Sequence, residues 1–77
     1  MFKNQIVLYS QNGCKYCNYA KQALSNFETI AIIIDENWYI TPCLVAYDSE
    51  GNIIEQLEGF TTNGRYLQFL RQHKELL

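Results

Sequence analysis

The tetrapeptide Cys14-Lys15-Tyr16-Cys17 holds two of the three cysteines in this chain. Two thiols at this spacing, following a strand-like run and opening a helix-like one, can interconvert between dithiol and disulfide. The first turn of a helix presents unpaired N–H groups and a partial positive charge. A sulfur at Cys14 gains hydrogen bonds and field there as a thiolate. Lys15 adds a cation next door, and Lys21 a more distant one. Cys17, one turn later, is expected to be less exposed and less ionised. Cys14 then attacks a disulfide, and Cys17 resolves the mixed disulfide. Gly13 allows a tight backbone turn into the helix. The competing reading makes Cys14 and Cys17 part of a metal or iron–sulfur binding module. Structural zinc commonly takes four ligands. The remaining candidates, Cys43 and His73, do not stand at ligand-like spacing.

The elements that must position this pair are legible in outline. Gln5–Ser10 is rich in β-branched and aromatic residues and reads as a strand. Lys15–Phe27 reads as a helix, with Cys17, Ala20, Leu24 and Phe27 at near-helical spacing on its inner face. Thr29–Ile34 is a nearly continuous apolar run, the pattern of a parallel strand covered on both faces. Its isoleucines are expected in the core. A strand–helix–strand unit implies a right-handed parallel crossover. Asp35–Thr41 and Pro42 then lead to a strand at Cys43–Tyr47. That connection is shorter than the dozen or so residues a parallel return needs, so this strand should run antiparallel to the first two. Asp48-Ser49-Glu50-Gly51-Asn52 carries hairpin turn residues. Asn52–Glu58 returns as a strand whose Glu55 and Glu58 suit an edge. Asn63–Lys74 closes as a helix, with Tyr66, Leu67, Leu70 and His73 on its inner side. Trp38 and Tyr39 read as a hydrophobic lid, Cys43 as a small buried strand residue and His73 as a residue near the helix C-terminus.

Composition bounds the classes. The 77 residues, 48% of them hydrophobic, suffice for one small domain spanning residues 1–77. A net charge of −2 without blocks of like charge favours neither nucleic acid nor anionic membrane as a partner. No run approaches the roughly 20 apolar residues of a membrane span. "MFKNQIVLYS" lacks the layout of a secretory leader. The expected location is therefore the reducing cytoplasm, where a CxxC pair is more often redox-active or metal-binding than a structural staple.

"LYSQNGCKYCNYAKQAL" resembles the active-site region of the glutaredoxins, which joins a strand, Tyr-Ser/Thr, Gly-Cys-x-Tyr-Cys and a helix. "TPCLVAYDSEGNIIEQLEGF" resembles the second half of a thioredoxin fold. The resemblance spans most of the chain. It implies a minimal α/β thioredoxin fold: a four-stranded mixed sheet in the order 2-1-3-4 with flanking helices. The second family helix is shortened or lost, because "ENWYI" allows one turn at most. It also implies a cis Thr41–Pro42 bond facing the cysteines. Thr41 would pair through its backbone with an extended substrate, and Gly59-Phe60 would form the opposite wall. Lys15, Tyr16, Thr41, Pro42, Gly59, Phe60 and Thr61 become the candidate substrate-binding residues around catalytic Cys14 and Cys17. The implied activity is thiol–disulfide exchange on protein or glutathione mixed disulfides, with ribonucleotide reductase as one possible electron acceptor. No tightly bound cofactor is expected. Glutathione is a candidate co-substrate, glutathione or a flavoprotein reductase a candidate electron source, and the chain is expected to act as a monomer. Four positions depart from the glutaredoxin pattern. Lys15 replaces a frequent proline, Gln11 a frequent glutathione-holding lysine, Glu58 the first glycine of a Gly-Gly-x-Asp signature, and Thr61 its aspartate.

Overall fold

The computed structural model describes residues 5–76. Residues 1–4 and Leu77 lie outside them, and with them the start of the stretch read for a leader and the ends of the single-domain assignment. The order is β1 (Ile6–Ser10), α1 (Lys15–Ala23), β2 (Ala31–Ile34), β3 (Cys43–Tyr47), β4 (Ile53–Glu58) and α2 (Asn63–Gln72), followed by a 3-10 turn at Lys74–Leu76. The strands form one sheet in the order β2-β1-β3-β4. β1 pairs with β2 in parallel, Leu8 opposite Ile32, and with β3 antiparallel, Leu8 opposite Leu44. β3 and β4 form an antiparallel hairpin with an irregularity between Ala46 and Tyr47. This is the minimal thioredoxin fold, with its short β2–β3 connection reversing the chain as the length argument requires.

Strand alternation splits the sheet into two unlike faces. Ile6, Leu8, Leu44 and Ala46 join Ala20 and Leu24 from α1 and Tyr66, Phe69 and Leu70 from α2 in the main core. Each fully buried Ile or Leu among them contributes about 1.5–3 kcal/mol relative to exposure. Val7, Tyr9, Cys43, Val45 and Tyr47 alternate onto the other face, where no helix lies over them among the described residues. The connection between β2 and β3 takes the helix's place. Trp38 stacks on Tyr9 with ring centroids 3.8 Å apart and planes 4° from parallel. Tyr39 packs beside Trp38, and its hydroxyl bonds the Gln56 amide. Val45 and Cys43 beneath are fully buried. Trp38 is thus the lid, whereas Tyr39 is mostly exposed.

Four sequence expectations need correction. β2 is not covered on both faces: Ile32, Ile33 and Ile34 are 46%, 42% and 52% exposed. It is an edge strand, and the core centres on β1 and β3, so only Ile30, just before the strand, is buried. α1 stops at Ala23, with Leu24 as its C-cap, rather than at Phe27. Phe27 still packs against the core from the following turn. On α2, Leu67 faces solvent and Phe69 faces inward. The inner stripe is Tyr66, Phe69, Leu70 and half-buried His73, the C-cap residue, which packs on Phe69 and pairs with Glu55. α2 also ends at Gln72, not Lys74. No described helix is long and apolar enough to cross a membrane.

Candidate active site

β1 delivers the chain to the sheet's end at Ser10, and four residues later Cys14 caps α1. Gly13 turns the backbone at φ +76°, a conformation costly for a residue with a Cβ. Cys14 itself is extended (φ −89°, ψ 112°), and its sulfur accepts the Cys17 backbone N–H at 3.2 Å. A sulfur here fills the place usually taken by a capping hydroxyl or carboxylate. The first turn of α1 carries no acidic side chain, so the positive end of the helix is not neutralised locally. Cys14 and Cys17 are joined by a disulfide, with Cα atoms 5.2 Å apart. Cys14 is half-buried and Cys17 wholly buried, so an incoming group reaches the first sulfur and not the second.

Opposite the pair stands the segment before β3. The Thr41–Pro42 peptide is cis. The Thr41 carbonyl oxygen and hydroxyl lie 3.9 and 4.0 Å from the Cys14 sulfur. Pro42 is buried, and its carbonyl accepts the Gly59 N–H at 2.7 Å, which ties the end of β4 to this segment. Gly59 takes φ +79°, and its own carbonyl accepts the buried Tyr66 hydroxyl at 3.2 Å. Burial pushes the Tyr66 hydroxyl pKa up, so it stays a donor. Phe60 lies 5.0 Å from the Tyr66 ring and 6.2 Å from Tyr19, which in turn meets Tyr16 at 5.9 Å. An aromatic row therefore runs from the Gly59 turn to the helix bearing both cysteines, with Tyr16 55% and Tyr19 42% exposed.

The structure thus groups Cys14, Cys17, Thr41 and Pro42, with Gly59, Phe60 and Tyr16 around them. Lys15 and Thr61 are exposed, and neither side chain hydrogen-bonds within the described residues. Thr62 is the helix cap, accepting the Arg65 N–H at 3.2 Å. Cys43 follows Pro42 but alternates onto the lid face. Burial pushes its thiol pKa up, partly offset by the Trp38 indole N–H, which has no oxygen or nitrogen partner. Among the described residues no group of three or more His, Cys, Asp or Glu could hold a metal ion.

Two features were not anticipated. Gln11 bonds the backbone of the lid connection, as set out below. Ser10 is completely buried with its hydroxyl unpartnered. Neither had a local sequence mark, because both depend on neighbours far along the chain.

No protein-family model matches this sequence, and no curated protein matches it. Among solved structures, the chain is similar to the reduced form of the periplasmic thioredoxin SoxS from Paracoccus pantotrophus, at 13% identity and a TM-score of 0.66. The match covers 88% of this chain and 92% of that one. At that identity the likeness establishes the thioredoxin fold.

Proposed function

We propose that this protein is a dithiol–disulfide oxidoreductase in which Cys14 is the nucleophile and Cys17 the resolving thiol. One observation carries the reading: an accessible sulfur capping α1 is bonded to a buried sulfur one turn on, directly beside the Thr41–Pro42 segment. In the reduced protein the Cys14 thiolate, favoured by the helix N-terminus and the Cys17 N–H, attacks one sulfur of a substrate disulfide. The Cys14–substrate bond forms, the substrate S–S bond breaks, and one substrate thiolate leaves and takes up a proton. Deprotonated Cys17 then attacks the Cys14 sulfur. The Cys14–Cys17 disulfide forms, and the second substrate thiolate departs and is protonated. Two electrons and two protons have passed to the substrate, and a thiol or flavoprotein reductant must return them. The backbone of Thr41, beside the Cys14 sulfur, is the proposed strand-type pairing partner of an extended substrate, with Phe60 and Tyr16 as the proposed apolar contacts.

Within this class the Tyr-Ser and Gly-Cys-x-Tyr-Cys pattern supports a glutaredoxin-like reductase of protein or glutathione mixed disulfides. Ribonucleotide reductase is one acceptor of suitable chemistry. Such a role belongs in a reducing compartment such as the cytoplasm, whereas the structural neighbour is described as periplasmic.

Cysteine variants test the roles. Cys14→Ser should abolish disulfide reduction, and Cys17→Ser should accumulate a mixed disulfide on Cys14, read by intact mass. Full dithiol activity in Cys14→Ser would refute the assignment. Stoichiometric metal in freshly purified protein, shielding both thiols from alkylation, would favour a metal or cluster module instead.

A further inference from the structure

Cys14 and Thr41 approach one another from segments with no regular structure between them. Thr41 ends the connection Asp35–Thr41, whose start is tied to β1 by the Asp35 N–H on the Ser10 carbonyl at 2.9 Å and whose middle rests through Trp38 on Tyr9. The bonds within it are local: Asn37 N–H to the Asp35 carboxylate at 2.9 Å and Trp38 N–H to the Asp35 carbonyl at 3.2 Å. These shape a turn but do not fix its distance from Cys14. Beyond that anchor at Ser10, the hydrogen bonds from the loop before Cys14 to this connection come from the two residues after β1. The Gln11 side-chain amide donates to the Glu36 carbonyl at 3.3 Å and to the Trp38 carbonyl at 3.2 Å. The Asn12 N–H donates to the Glu36 carboxylate at 3.0 Å. Gln11 stands three residues before Cys14, and Trp38 three before Thr41. One side chain therefore braces the cysteine loop against the Thr41 loop, using both hydrogens of its amide group on backbone carbonyls.

We propose that Gln11 is a positioning residue that sets the Thr41 wall against the Cys14 sulfur, with Glu36 as the second half of the brace. The inference rests on the disulfide-exchange reading, since the wall matters only if a substrate is held there. Gln11 touches no reacting atom. It acts through the spacing of the groove, so its loss should weaken capture of an extended substrate while leaving the intrinsic reactivity of Cys14 alone.

The test compares two reactions of reduced wild-type protein and Gln11→Met, which keeps the length of the side chain but has no donors. Insulin reduction requires the groove, whereas alkylation of Cys14 by iodoacetamide requires only the sulfur. We expect kcat/KM for insulin to fall about tenfold, mainly through KM, as for misplacement of a positioning element by less than 1 Å. The iodoacetamide rate should not change. Glu36→Ala should show the same split in milder form, and Glu36→Gln, which retains an acceptor oxygen for the Asn12 N–H, should restore wild-type behaviour. Trp38 fluorescence, from the sole tryptophan of the chain, should shift in Gln11→Met and remain native in Glu36→Gln. An active wild type with an unaffected Gln11→Met overturns the brace alone, as does an equal fall in both reactions. A wild type that reduces a glutathione mixed disulfide but not insulin overturns the brace alone, and one inert toward both overturns the reading beneath it as well.

Discussion

Cys14 and Cys17 share one element and one bond but differ in environment, and the proposed division of labour follows from that difference. The outer sulfur meets the helix N-terminus and Thr41, while the inner one meets only protein. Ser10 nearby carries a local cost, because a buried hydroxyl without a partner is unfavourable by about 1–3 kcal/mol. Ser10→Ala should therefore raise the urea midpoint of the oxidised protein at unchanged m-value, by about 1 kcal/mol of stability; a loss of that size would show that the hydroxyl is satisfied in solution. The cysteine pair was legible in the sequence because its chemistry is local, one turn of helix after a strand and a glycine. Gln11 was not, because its partners lie 25 and 27 residues away and only the fold brings them within reach.

The connection Asp35–Thr41 does the work of a missing helix, and at this scale Trp38 is its decisive side chain. Trp38→Ala should open the lid face, and Cys43, buried in the native protein, should then react with a chromogenic disulfide at native pH; continued protection would show that Tyr39 and Gln56 suffice. The β3–β4 turn offers a pH test. The Asp48 carboxylate accepts the Asn52 and Glu50 N–H groups at 2.9 Å each, and its pKa is lowered chiefly by the bond from the Asn52 backbone. A depressed folded-state pKa stabilises the protein above the unfolded value of about 3.9, and that contribution is lost as pH falls through the folded value. Asp48→Asn should thus flatten the decline of Tm below about pH 4; an unchanged slope would remove Asp48 from the account. Element types and order were legible from periodicity and turn residues, but ends and exposure were not. A run such as Ala31–Ile34 reads the same whether it lies at the centre or at the edge of a sheet, and its place is decided by helices too few to cover it.

For the molecule as a whole, a sheet with one helical layer and one loop cover leaves little stability to spare. A chain of 77 residues has a net stability of only about 4–12 kcal/mol. Phe69, buried beneath α2, should cost about 3–5 kcal/mol as Phe69→Ala, a large share of that margin. Leu67→Ala, two residues away on the solvent side, should stay within about 0.5 kcal/mol; equal losses in urea unfolding would contradict the observed facing of α2. The architecture was legible because the spacing of helix and strand signals, with the short β2–β3 connection, admits few topologies. The two-faced character of the core was not, since it depends on how a single tryptophan folds back over Tyr9. The central claim remains the thiolate at the start of α1. Its most direct test is the pH profile of iodoacetamide alkylation in the reduced protein, resolved by cysteine-containing peptide. Cys14 alone should be modified, at a rate already near its plateau at pH 7. Preferential modification of Cys17, or a Cys14 rate that rises only toward the free-thiol midpoint of about 8.5, would contradict it.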